Sequence, residues 1–140
     1  MKILVAVDGS SFTKHMLAYI AAHDEWLGPH HAYTVLHVVA PVPARAAAMI
    51  ERDVLKAHYA DSGETVFKPI RVFFAKQKIA AQFVSKVGSA ADVIAAYARK
   101  GRFDILMLGS HGHGSLAGLF LGSVATKVIA GCRTPVLVVR

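Results

Sequence analysis

The sequence of 140 residues predicts an α/β fold: a single domain in which one open, doubly wound sheet of five parallel strands carries helices on both faces. Three observations predict it. Five short runs of β-branched and aliphatic residues, at 2–7, 33–39, 80–87, 103–108 and 135–139, read as strands, and most are apolar on both faces, as strands of a parallel sheet are. Segments with helical spacing separate them, and such alternation closes through right-handed crossovers into parallel pairing. The length gives one domain a real core and is too short for two.

The first strand, KILVAV, runs into Asp8-Gly9. Ser10 then reads as the N-cap of a helix that places Phe12, Met16 and Ile20 at i, i+4 spacing and ends before Gly28-Pro29. The second strand is YTVLHVV. From about 44 to 77 the pattern is helical, with Met49, Ile50, Val54 and Leu55 apolar, but Gly63 and Pro69 are expected to break or kink it, which leaves one helix or two open. After the third strand, GSAADVIAAYARKG reads as a helix with Ser89 as N-cap, Asp92 near the positive end of the dipole and Gly101 as the stop. The fourth strand, FDILML, leads into a glycine-rich stretch. A last helix is expected over 123–130, ended by Gly131, before Pro135 opens the final strand.

Composition bounds the function. Although 54% of the residues are hydrophobic, no run approaches the ~18–20 apolar residues of a membrane span. The start MKILVAV is interrupted by Asp8 and followed by no small-residue cleavage site, so a cytoplasmic protein is expected. Cys132 is the only cysteine, which excludes an internal disulfide framework and a cysteine zinc site. A net charge of +7 favours anionic partners in general. Its densest stretch (Lys68, Arg71, Lys76, Lys78, Lys86) reads as a solvated face, because no nucleic-acid motif or regular aromatic interleaving accompanies it, and no specific nucleic-acid partner is expected.

The chemistry concentrates in LMLGSHGHGSLAGLFLGSVATKVI, residues 106–129, with glycines at 109, 112, 114, 118 and 122. Glycine costs a helix or strand interior about 0.5–1 kcal/mol relative to alanine, so such a cluster points to positive φ or close backbone approach. No GxxxxGK[ST] occurs, which excludes a P-loop. The nearest GxGxxG, at Gly112, Gly114 and Gly118, has one spacer too many and follows the fourth strand rather than the first. What remains is Gly109-x2-Gly112-x9-Gly122-Ser123: a strand exit, a place for amides to approach an anion, and a helix N-terminus whose N–H groups and dipole favour phosphate. In doubly wound sheets ligands sit beyond the carboxyl ends of the strands where strand order reverses. A reversal between the first and fourth strands would bring Asp8 and Gly109 into one site.

Other chemistries find less support. His111 and His113 are an incomplete metal set that Asp8 or His37 would have to complete, so loop histidines beside a ligand are the preferred reading. Ser10, Ser110, Ser115 and Ser123 stand in no GxSxG elbow and read as caps and turns. Asp8 is the only acid placed at the site, and no arginine finger lies in the loop, which argues against fast phosphoryl transfer and leaves at most slow hydrolysis.

The Gly-x2-Gly-x9-Gly-Ser pattern resembles the ATP-binding motif of the universal stress protein family, and KILVAVDGS, VLHVVAP, SAADVIAAYA and CRTPVLVV resemble the family's counterparts along the whole chain. The resemblance implies an adenine nucleotide alpha hydrolase-like fold of strand order 3-2-1-4-5, a homodimer, and ATP; Mg²⁺ is the metal expected, carried in by the triphosphate with few protein ligands. The resemblance also implies Asp8 at the ribose or adenine end, Val38 at the adenine through its backbone, and the 109–123 loop at the ribose and phosphates. The implied nucleotide set is Val7, Asp8, Val38, Gly109, Ser110, His111, Gly112, His113, Gly122, Ser123 and Val124. The function implied is a nucleotide-dependent signalling or protective module, with a slow ATPase or nucleotidyl-group enzyme, or a structural dimer without nucleotide, as alternatives. An antiparallel homodimer is expected through the apolar terminal strand 135–140.

Overall fold

β1 (Lys2–Val7) is the central strand, and its alternation builds two cores. Ile3, Val5 and Val7 face one side, where they meet Met16, Leu17, Ile20, Phe67, Ile70 and Phe74. Leu4 and Ala6 face the other, against Ala91, Ile94, Ala98 and Val128. Ile3, Leu4 and Val5 are fully buried, each worth about 1.5–3 kcal/mol of transfer free energy. That two-sided burial is why the strand shows no polar alternation.

The computed structural model describes residues 1–114, 118 and 120–140. After β1 come α1 (Ser11–Ala22), the single turn α2 (Asp24–Leu27), β2 (Ala32–Val39), the single turn α3 (Ala44–Ala47), α4 (Arg52–Lys76), β3 (Ala81–Val87), α5 (Ala90–Gly101), β4 (Ile105–Gly109), α6 (Ser123–Gly131) and β5 (Val136–Val139). All strand pairs are parallel, and the order is β3-β2-β1-β4-β5. Order reverses between β1 and β4, which brings the exits of these two strands together. α1 and α4 supply the first core and α5 and α6 the second, so helices cover both faces. No helix among the described residues is long and apolar enough to cross a membrane.

Three local expectations are corrected. α4 runs unbroken through Gly63 and Pro69. Gly63 is buried, and a Cβ there would lie 2.6 Å from Ser85 Oγ, so it marks the close approach of α4 to β3. Pro69 is on the exposed face, where the carbonyl deprived of its donor meets water. The stop of α5 is also different. Gly101 is the last helical residue, and Arg102 takes the left-handed C-cap at φ 50°. A Cβ on Gly101 would run into the Phe103 ring, so glycine is there to make room. Third, Ser10 and Ser89 hold the N-cap positions, but neither side chain makes a capping hydrogen bond. At α1 the Asp8 carboxylate accepts from the Ser10 N–H instead.

The basic stretch is exposed at Lys68, Lys76, Lys78 and Lys86. Arg71 pairs with Glu64 at 3.2 Å and lies over the Phe83 ring at 4.1 Å, an arrangement of a solvated face.

Tyr33 gives the fold a pH dependence. It is 2% exposed, donates its hydroxyl to the Leu27 carbonyl, and burial pushes its pKa up to about 12. An unfolded tyrosine ionises near pH 10. Stability from the neutral phenol is therefore complete below about pH 10 and is lost as pH rises towards about 12. Urea unfolding across that window should show a falling midpoint in the wild type, and a shallower fall in Tyr33→Phe.

Candidate functional site

At the carboxyl ends of β1, β2 and β4 the structure opens a cleft of about 340 Å³. The reversal of strand order creates it, because the connections leaving β1 and β4 depart to opposite faces. Its lining is apolar at Ala6, Leu36, Ala90, Ile94 and Leu108 and polar at Asp8, Thr13, His111, His113 and Ser123, with Thr13 buried.

Asp8 is fixed in place. Its Oδ1 accepts from the Ser10 N–H at 2.9 Å and from the Thr13 hydroxyl at 3.1 Å. Thr13 Oγ1 in turn accepts from the N–H groups of Asp8 and Gly9, both at 3.1 Å. Two donors on Oδ1 leave Oδ2 facing Gly112, where a Cβ would lie 2.6 Å from it. The carboxylate thus enters the cleft with one oxygen anchored and the other presented.

The loop after β4 is tied to β1. His113 Nε2 donates to the Asp8 carbonyl at 2.7 Å, which fixes its tautomer. His111 shares a 3.1 Å hydrogen bond with Ser110 Oγ and packs its ring 5.3 Å from that of Phe12. The Gly122 N–H donates to the Ser110 carbonyl at 2.7 Å, which folds the far end of the loop back onto its beginning. α6 then starts with Gly122 as N-cap, and the first amides, at Ser123, Val124 and Ala125, have no partner within the helix. They open on the cleft beside a positive dipole end.

The glycines are explained mainly by contact. Gly122 has φ −70° and ψ 162°, a conformation open to any residue, but a Cβ there would lie 3.0 Å from the Ser110 carbonyl oxygen and 3.1 Å from His111 Cα. At Gly109 a Cβ would meet Phe12 Cβ at 2.7 Å. Gly109, Gly112 and Gly122 therefore let the chain pack against itself around the cleft. Gly118 has a positive φ of 95°, and Gly114 meets nothing within 4 Å.

Of the residues expected at the site, Val7, Asp8, Val38, Gly109, His111, Gly112, His113, Gly122, Ser123 and Val124 all line this cleft. Ser110 does not; it is 1% exposed and supports the loop from behind. Ser115 lies outside the described residues. His37 is drawn away from the histidine pair, donating Nδ1–H to the Val7 carbonyl at 2.8 Å with its ring against Phe67. Among the described residues there is no group of three or more His, Cys, Asp or Glu that could hold a metal ion.

Sequence reasoning missed Thr13, Phe12 and the apolar wall. Thr13 carried a signal: a hydroxyl in the first turn of a helix, five residues after an aspartate at a strand exit, is in reach of that carboxylate. Ala90 and Ile94 carried none, since only the crossover brings α5 to the cleft.

Comparison with known proteins agrees with this architecture. The model of the universal stress protein family matches residues 1–140. A universal stress protein of Thermus aquaticus, from the 3′ region of a QAH/OAS sulfhydrylase, is 30% identical over 138 residues, covering 99% of this chain and 97% of that protein. The structure of hypothetical protein MJ0577 superposes with a TM-score of 0.81 at 26% identity, covering 99% of this chain and 94% of the other. Two more distant structures share the fold: an Arabidopsis thaliana family member with AMP bound (TM-score 0.70, 20% identity, 99% and 90% covered) and an Archaeoglobus fulgidus one in complex with dAMP (TM-score 0.66, 21% identity, 100% and 98% covered). With its strand order, its glycine-lined cleft and a family match running from end to end, the chain belongs to the universal stress protein family.

Proposed function

We infer that the cleft binds ATP with Mg²⁺, and that the protein is a nucleotide-dependent stress-response signalling or protective module. One observation carries the reading: a single cleft joins a presented carboxylate, an apolar wall and the free amides of a helix N-terminus. Its volume of about 340 Å³ is within the range of small-molecule sites. The AMP and dAMP complexes of family members support an adenine nucleotide as the ligand class.

In this reading the base lies against Ala6, Leu36 and Val38, Asp8 Oδ2 meets the nucleoside, and the phosphates reach Gly112, Gly122, Ser123 and Val124. Helix-terminal amides suit phosphate through unpaired N–H groups and the dipole together. Mg²⁺ enters on the triphosphate, which suits an ion that keeps most of its waters and takes few protein ligands. Among the described residues lining the cleft, Asp8 is the one carboxylate, and no lysine or arginine is present. Binding with at most slow hydrolysis follows, since phosphoryl transfer relies on cationic stabilisation of the transferring group.

Calorimetric titration with ATP·Mg²⁺ tests the reading. Saturable binding is expected, and no binding at millimolar ligand would leave a structural dimer without nucleotide in its place. Ser123→Ala should weaken ATP by about 1 kcal/mol, roughly fivefold in Kd, for one hydroxyl hydrogen bond.

The two sheet edges support a homodimer through β5. β3 carries Gln82, Ser85 and Lys86 exposed on its edge, and a lysine blunts edge pairing. β5 reads VLVV, is only partly buried over Val136, Leu137 and Val138, and has no charge within it. An antiparallel dimer edge to edge satisfies those backbone groups. Light scattering should give a dimer mass, with Val138→Lys shifting it towards the monomer; a monomeric wild type would remove the dimer from the account. A cytoplasmic location fits this role.

A further inference from the structure

A second cleft, of about 360 Å³, lies at the opposite end of the sheet, where β4 and β5 begin. Arg99, Arg102, Arg133 and Thr134 line it, over Ala98 and Phe103. The three arginines come from three places: the last turn of α5, its C-cap, and the connection between α6 and β5. All three are exposed, and none forms an ion pair among the described residues.

Helix C-termini attract cations, which is the simplest reason for arginines here. Two observations go beyond it. The terminal carbonyl of α5, at Gly101, is already taken by the Lys2 ammonium at 2.5 Å, so no guanidinium is needed at that carbonyl. Arg102, moreover, holds the left-handed conformation at φ 50°, a position where glycine sits without strain and a residue with a Cβ does not. Lys78, after α4, has the same left-handed conformation at φ 55°; what distinguishes Arg102 is that it lines a concavity with two other arginines, none of the three ion-paired among the described residues.

We propose that this cleft is an anion site for a small polyphosphate, with pyrophosphate as its simplest member, distinct from the nucleotide cleft. Guanidinium forks pair with phosphate oxygens two at a time, and three of them match an ion with several negative charges better than a monovalent one. The Thr134 hydroxyl adds a donor. The length of β4, five residues, separates the two clefts by roughly 15 Å, so one pyrophosphate cannot occupy both.

Amide NMR of the whole chain, titrated with inorganic pyrophosphate and with sodium chloride at matched ionic strength, tests the site. Saturable shifts are expected at Arg99, Arg102 and Thr134 with pyrophosphate and not with chloride. Arg133→Ser and Arg102→Gly should each weaken that binding roughly tenfold, the loss of one charged hydrogen-bonding partner. Arg102→Gly should keep its circular dichroism and folded spectrum, because glycine suits that φ. Gly122→Val should leave pyrophosphate binding at this cleft unchanged, which separates it from the nucleotide reading. Equal, unsaturated drift with both salts, or undiminished pyrophosphate affinity in both arginine variants, would overturn the proposal and leave these arginines as solvated charge.

Discussion

Gly122→Val is expected to abolish ATP binding while leaving most of the affinity for adenosine. A Cβ at this position would lie 3.0 Å from the Ser110 carbonyl oxygen and 3.1 Å from His111 Cα. Both neighbours are backbone, so relief requires the loop and the start of α6 to move apart. That breaks the Gly122 N–H to Ser110 carbonyl hydrogen bond and turns the amides of Ser123 and Val124 away from where the proposed binding mode puts the phosphates. Each amide–phosphate hydrogen bond is worth about 1.5–3 kcal/mol, so losing two or three weakens ATP by at least roughly a hundredfold. In the proposed binding mode the base and ribose lie at Ala6, Val38 and Asp8, away from this change, and adenosine should change by no more than about threefold. Overpacking confined to a loop exit costs stability about 1–3 kcal/mol. Calorimetry with both ligands, with a thermal melt as control, reads the two effects separately.

Asp8→Ala is expected to act on the other end of the ligand and to weaken adenosine and ATP alike, by about tenfold or more for a charged hydrogen-bonding partner. The alanine variant also strands the Ser10 N–H and the Thr13 hydroxyl, both of which donate to Asp8 Oδ1, at a stability cost of about 1–3 kcal/mol. Asp8→Asn distinguishes the roles. Its amide oxygen can still accept from Ser10 and Thr13, so stability should return nearly to that of the wild type, while the presented oxygen becomes a donor and the charge is gone. Parallel losses for adenosine and ATP in a well-folded Asp8→Asn protein would place the carboxylate at the nucleoside. A loss for ATP alone would move it to the phosphates.

The strands were legible because burial on both faces leaves a plain mark: Ile3 to Val7 are apolar without interruption, and each residue has a helix to face. α4 was less legible, because Gly63 and Pro69 break helices by local preference, and only packing on β3 and exposure of the proline face remove the penalty. The C-cap of α5 was misplaced by one residue for a related reason. Gly101 is required by the Phe103 ring, a contact the sequence does not announce.

At the site, spacing located the loop, and strand topology joined it to Asp8. The reason for its glycines was only half visible: close approach was expected to a ligand, and the structure shows Gly109, Gly112 and Gly122 approaching Phe12, Asp8 and Ser110. Intolerance of a side chain at these positions therefore reports the shape of the cleft first and the ligand second. The inner wall of Ala90 and Ile94 could not be read, since nothing in a helix sequence says which strand end it will cover.

The most direct test of the central claim is residue-resolved amide NMR of the wild type titrated with ATP·Mg²⁺. Saturable shifts are expected at the exits of β1 and β4 and at the start of α6, with Asp8, Gly112, Ser123 and Val124 among the largest, and competition by adenosine at Asp8 but not at Ser123. Saturable binding whose shifts lie elsewhere, with these four amides unmoved, would contradict the claim.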